Sequence, residues 1–225
     1  MRTFVRLSGC NLQCVWCDTP YTWNWEGTPW PHVRDLPGAP YKFVREVEMV
    51  RMTVEKVANA IAALPSEGVV ITGGEPLLQA RGVVALIAQL RAQTPAVVIE
   101  IETNGTIAPE AELVGMVDLF MVSPKLAHAG NDNHVAIRPE VIQALVAVET
   151  AAFKFVARAS RDVGEVAGFA ERFGIAPGRV FIMPEGTDSA TVTRVGASLI
   201  DAIMAAGFNY SDRLHMHLFG DARAT

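Results

Sequence analysis

The sequence holds 225 residues, half of them apolar, which is enough chain for one sizeable core and excludes intrinsic disorder. Nineteen basic against twenty-four acidic residues leave a formal charge of −5, so the chain as a whole repels phosphate backbones and offers no electrostatic footprint for nucleic acid. No apolar run approaches the ~18 residues that cross a bilayer, and the first residues lack the charged, apolar and small-residue regions of a signal peptide, so a cytoplasmic protein without membrane partners is expected.

Taken in chain order, short β-branched runs alternate with segments of helical periodicity, the pattern of a parallel α/β fold. Strands are expected over 3–7, 68–72, 97–102, 118–122, 152–156 and 179–183, with a seventh candidate at 214–218. Nearly continuous apolar interiors such as Val69-Val70-Ile71 and Val97-Val98-Ile99 suit strands covered on both faces. Helices are expected over 53–64, 77–92, 138–148, 161–173 and 190–206, with a weaker turn near 109–115. Thr53 suits an N-cap, and Pro76 and Pro139 suit a first helical turn. The stretch 8–41 is irregular, and so long a segment in a compact domain is usually functional or mobile. It holds all three cysteines and all four tryptophans. No internal repeat or linker marks a second domain.

Cys10, Cys14 and Cys17 follow directly on the first strand, an odd number and too crowded for a secreted disulfide framework. Three thiolates within eight residues can grip one compact inorganic centre, and thiolates select zinc or iron and sulfur. Structural zinc wants a fourth protein ligand, for which His32 is the nearest candidate, fifteen residues on. A four-iron cluster on three thiolates instead keeps one iron open to a small molecule.

Other segments are ambiguous from their residues alone. Gly73-Gly74-Glu75-Pro76 lies where the second strand meets a helix, as an ordinary turn or as a place where a ligand approaches the backbone. Ser123-Pro124-Lys125 ends the fourth strand in the same topological position, as a solvated loop or a cavity wall. Asp18 and Thr19 suit a turn or a hard cation such as magnesium. Trp16, Trp23, Trp25 and Trp30 either shield a cluster from water or pack an otherwise uncored loop. His215 and His217 alternate on the expected terminal strand and so point the same way, as a metal pair would, although no third ligand is evident nearby.

Cys-x3-Cys-x2-Cys at the end of the first strand resembles the signature of the radical S-adenosylmethionine superfamily. The longer run Gly9-Cys10-Asn11-Leu12-Gln13-Cys14-Val15-Trp16-Cys17-Asp18-Thr19-Pro20-Tyr21-Thr22-Trp23 is similar to the cluster loop of 7-carboxy-7-deazaguanine synthases, enzymes of the deazapurine route to queuosine. Thr72-Gly73-Gly74-Glu75-Pro76-Leu77-Leu78, Glu102-Thr103-Asn104-Gly105-Thr106 and Val122-Ser123-Pro124-Lys125 follow in the family's order, so the resemblance runs from Phe4 to about Gly186.

The resemblance implies a partial (βα)6 barrel with the cluster loop after the first strand, and a radical lyase that converts 6-carboxy-5,6,7,8-tetrahydropterin to 7-carboxy-7-deazaguanine and ammonia. It assigns a 4Fe-4S cluster to Cys10, Cys14 and Cys17, and S-adenosylmethionine contacts to Trp16, Cys17, Asp18, Gly73, Gly74, Glu75, Ser123, Pro124 and Lys125. Met183, Pro184, Glu185 and Gly186 share that assignment, on a looser match, because many relatives carry Gln-Pro there. Thr19 is implied as a magnesium ligand, and Arg6 and Thr72 as contacts to the pterin; an arginine suits an anionic carboxylate. A reducing flavodoxin or ferredoxin and a homodimer are the implied protein partners. The family's usual leading segment, with a Gln-Gly-Glu-Gly-like loop, has no counterpart before Cys10, so the expectation is a single core domain over 1–225 that lacks it. A glycyl-radical activating enzyme shares the cysteine loop but acts on a partner protein, and Asp18-Thr19-Pro20-Tyr21-Thr22-Trp23 argues against it. A structural zinc module is the remaining alternative.

Overall fold

The computed structural model describes residues 1–223. Its centre is a parallel sheet of seven strands in the order β1 to β7: Arg2–Leu7, Gly68–Gly73, Val98–Thr103, Leu119–Val122, Ala151–Ala157, Val180–Pro184 and Asn209–Tyr210. The helices are α1 (Arg45–Glu48), α2 (Val54–Ala62), α3 (Ala80–Gln93), α4 (Ala111–Val114), α5 (Asn133–Ala136), α6 (Pro139–Val146), α7 (Ser160–Phe173), α8 (Ser189–Ala206) and α9 (Leu214–Phe219). Spatial order equals sequence order, so every right-handed crossover turns the same way and the helices gather on one face. Twist then curls the sheet into an open barrel whose concave face is free of helices.

Alternation along the strands separates the two faces. Ile71, Ile99, Ile101, Phe120, Phe153 and Ile182 are each 0% exposed and belong to one continuous core beneath the helices. Burying a side chain of this size is worth about 1.5–3 kcal/mol, so this face carries the stability of the domain. The alternate residues Phe4, Arg6, Glu100, Glu102, Met121, Lys154 and Met183 line the concave face and are only partly covered or exposed.

Local signals act as expected at several ends. Thr53 caps α2 by accepting from Lys56 N, and Pro139 opens α6. Pro76 opens a short 3-10 turn at Pro76–Gln79, which leads into α3. One strand assignment is corrected: residues 214–218 form α9, and the seventh strand is Asn209–Tyr210. Leu214, Met216 and Leu218 alternate as apolar residues, but only Met216 is buried while Leu214 and Leu218 are 65% and 62% exposed, so no sheet face selected the strand period. Among the described residues, no helix is long and apolar enough to cross a membrane.

Candidate active site

β1 delivers the chain to the mouth of the barrel, where residues 8–22 must pass close over the end of β2. Gly74 N donates to Leu7 O at 2.9 Å and Glu75 N to Gly9 O at 2.8 Å. A Cβ on Gly73 would stand 2.0 Å from Leu7 O and one on Gly74 2.2 Å from Gly9 O, so both glycines are required by the approach of this loop to β2. Glu75 is completely buried. Its Oε1 accepts from Leu77 N (2.9 Å) and Thr103 Oγ1 (2.8 Å), and its Oε2 from Asn104 N (2.7 Å). The carboxylate thus ties the end of β2 to the end of β3. Burial pushes its pKa up despite these bonds.

Cys10, Cys14 and Cys17 are free thiols in a small apolar cluster with Leu12, Trp16, Ala129, Ala136 and Ile137. Each sulfur has a donor: Leu12 N lies 3.5 Å from Cys10 Sγ, Asn131 Nδ2 3.1 Å from Cys14 Sγ, and Trp23 Nε1 3.4 Å from Cys17 Sγ. Burial pushes Cys10 up to about 12 and Cys17 up to about 11, and raises Cys14 as well. All three are therefore protonated at neutral pH until a metal centre displaces the protons.

His32 takes no part as a fourth ligand. Its Nε2 donates to Cys17 O at 2.9 Å and its Nδ1 accepts from Arg34 N at 3.2 Å, so both ring nitrogens are committed to backbone. Among the described residues, no three His, Cys, Asp or Glu side chains stand together as a cage for one ion, as a closed zinc site requires. Three thiols, Cys14 buried and Cys10 and Cys17 partly so, each served by an N–H donor and without a fourth protein ligand among the described residues, fit an iron–sulfur cluster that keeps one iron open.

The four tryptophans divide between the two expected roles. Trp16 packs in a tilted arrangement against His128 with centroids 5.4 Å apart, and Trp23, 5% exposed, touches Cys17, so these two wall the thiols. Trp25 donates to Tyr21 O and lies under Arg45, while Trp30 is exposed, so these two belong to the outer packing of the insert.

Side chains from several strands meet on the concave face. Arg6 stands beside Thr72 in the β1–β2 register, and Thr72 Oγ1 donates to Glu102 Oε2 at 3.1 Å. Lys154 Nζ on β5 donates to Glu102 Oε1 at 2.7 Å. Burial raises the Glu102 carboxyl, but Lys154, Thr72 and Arg6 outweigh it and hold it below its ordinary value, so it is ionised. Neither Glu102 nor Lys154 stood out as a site residue in the sequence; polar residues inside otherwise apolar strands were the available signal.

Ser123 N donates to Thr103 O at 2.7 Å, and Ser123 Oγ accepts from Lys125 Nζ at 2.8 Å. The Lys125 ammonium is close enough to lower Cys14, Asp18 and Glu75. Pro124, buried, lies between them. Across the mouth, Met183 points into the concave face, Pro184 ends β6, Glu185 N donates to Ala157 O, and Gly186 O accepts from Arg213 Nη1 at 2.9 Å. Arg213 also pairs with Asp18, so it joins the loop after β6 to the cluster loop; no sequence motif marked it. Burial works against the charge on Asp18, yet Arg213 and Arg6 bring its pKa down. Thr19 Oγ1 stands 3.6 Å from Cys17 Sγ.

The expected alternation of His215 and His217 on a strand is corrected by α9, where residues two apart face different ways. His217 bridges Ser189 (2.8 Å) and Asp212 (3.2 Å), holding α9 against α8. Burial and the charge of Arg213 lower the His215 pKa.

Comparison with known proteins follows this geometry. Residues 1–146 match the family model described as a 4Fe-4S single cluster domain. The 7-carboxy-7-deazaguanine synthase of Pyrobaculum aerophilum is 35% identical over 222 residues, covering 98% of this chain and 86% of that protein. The enzyme of the same name from Rhodopirellula baltica is 32% identical over 238 residues, covering 99% and 80%. A mandelate racemase/muconate lactonizing enzyme from Roseiflexus sp. superposes with a TM-score of 0.38 at 14% identity, over 76% of this chain and 55% of that one, which adds nothing to the topology already described.

Proposed function

The chain belongs to the 7-carboxy-7-deazaguanine synthase family, and on that premise we propose that it converts 6-carboxy-5,6,7,8-tetrahydropterin to 7-carboxy-7-deazaguanine and ammonia. The observation that carries this reading is the set of three thiols, each with its own donor, placed over the Gly73-Gly74 turn and beside a polar concave face. A 4Fe-4S cluster with S-adenosylmethionine supplies, when bound, the 5′-deoxyadenosyl radical that takes hydrogen from C6 of the pterin.

Cys10, Cys14 and Cys17 hold the cluster. Gly74, whose N–H is spent on Leu7, offers its carbonyl to the amino group of the methionine moiety, with Gly73 and Glu75 fixing the turn. Ser123, Pro124 and Lys125 form the facing wall, Lys125 bringing positive charge toward a carboxylate, and Met183, Pro184, Glu185 and Gly186 close it with Trp16 and Asp18. Arg6 receives the pterin carboxylate, and Thr72 orients the ring from the same row of the sheet. Thr19 would contribute one oxygen to a magnesium ion. Trp16 and Trp23 shield the thiols on one side. A flavodoxin or ferredoxin as electron donor, a cytoplasmic setting and assembly as a homodimer complete the reading. A zinc module or an activator of a partner protein has no support comparable to the near full-length match to named synthases.

The test is anaerobic incubation of the reconstituted protein with reductant, S-adenosylmethionine, magnesium and 6-carboxytetrahydropterin, followed by mass analysis. The deazapurine is expected. 5′-Deoxyadenosine without it would retain the radical chemistry and discard the substrate.

A further inference from the structure

We propose that Asn131 is a positioning residue for the cluster, raising its reduction potential by donating a hydrogen bond to the sulfur of Cys14; this rests on the cluster assignment above. Asn131 lies between β4 and α5, immediately after Gly130, whose φ is 78°. Its Oδ1 accepts from Gln13 N at 2.8 Å, and its Nδ2 lies 3.1 Å from Cys14 Sγ. Chemistry fixes the sense of the amide. A backbone N–H only donates, so the amide turns its oxygen to Gln13, and the nitrogen left facing the sulfur can only donate to it.

This contact is the shortest to any of the three sulfurs among the described residues. Trp23 reaches Cys17 at 3.4 Å, Leu12 N reaches Cys10 at 3.5 Å, Thr19 stands 3.6 Å from Cys17, and Asn104 Nδ2 is 3.9 Å from Cys10. The segment that carries Asn131 is locked to the loop by further bonds, Val15 N to Ala129 O at 3.0 Å and Trp16 Nε1 to His128 O at 3.2 Å. A Cβ on Gly130 would stand 2.9 Å from Val15 Cγ1 and its φ of 78° favours glycine, so this turn packs closely against the Val15 side chain. The amide is thus a fixed dipole against a sulfur that is 6% exposed, where solvent screens it little. A donor at a ligating sulfur draws electron density away from the metal and favours the more negative, reduced state. Coordination by Cys14 does not itself need the amide, so the role is separable from ligation.

The experiment compares wild-type holoprotein with Asn131→Ala and Asn131→Asp by potentiometric titration followed by electron paramagnetic resonance, with iron and sulfide counted. Asn131→Asp keeps an acceptor for Gln13 N, removes the donor and sets a carboxylate, ionised above about pH 4, beside the sulfur. Both variants are expected to carry a wild-type complement of iron and sulfide and to show a several-fold smaller ratio of reduced to oxidised cluster at a fixed solution potential, with the larger change in Asn131→Asp. Unchanged potentials in loaded variants overturn it, as does loss of iron from both, which would make the residue a brace for the loop. A wild-type protein that takes up no cluster would instead sink the functional reading itself.

Discussion

The two faces of the sheet are made by the same strands and obey different rules. On the convex face, Ile71, Ile101, Phe120, Phe153 and Ile182 are sealed beneath helices, and each touches neighbours that are apolar in their own right. On the concave face, one residue away in sequence, Thr72, Glu102 and Lys154 form a bonded row and Phe4 stands 60% exposed. One face is chosen for burial and the other for what it presents to a small molecule, so substitutions on them should fail in different ways.

Four substitutions break or sharpen that contrast, beginning with the largest effect. Cys10→Ala, at the mouth, should abolish iron and sulfide binding and all product formation while the apoprotein keeps its unfolding free energy to within about 1 kcal/mol; chemical analysis and urea unfolding read the two arms. Phe153→Ala, on the convex face, should cost about 3–5 kcal/mol of stability in the same unfolding experiment, and a loss below 1 kcal/mol would mean the helices do not seal that face. Glu102→Gln weakens a charge-assisted pair worth about 1.5–3 kcal/mol, so turnover should fall roughly tenfold to a hundredfold with the cluster spectrum intact. Equal activity would remove the concave row from the site. Phe4→Ser should change stability by no more than about 0.5 kcal/mol, since there is little burial to lose; a larger loss would reveal a partner covering that face.

The convex face was legible in the sequence because apolar continuity is a local property. The six strands and the long helices follow from it, and the cysteine spacing with its following residues identified the loop and its cofactor. The concave row was not legible in the same way. Glu102 and Lys154 are 52 residues apart and meet only through strand order, and Arg213 reaches Asp18 across 195 residues. Nothing near either residue in sequence announces its partner. His215 and His217 show the converse: a local alternation suggested a strand, yet the segment is a helix that buries Met216. The Gly73-Gly74 pair was read as a turn where a ligand approaches the backbone, whereas its tightest neighbours are the backbone of Leu7 and Gly9.

The distances along the chain between the cysteine loop and the residues that pin it bear on biosynthesis. Cys14 waits 117 residues for Asn131, and Asp18 waits 195 for Arg213. At about 5–20 residues per second, a ribosome takes on the order of 10–40 s to supply the second of these anchors. During that interval the nascent thiols hang without their wall, open to oxidants and to passing metals, so iron delivery in the cell is best timed to follow release of the finished polypeptide.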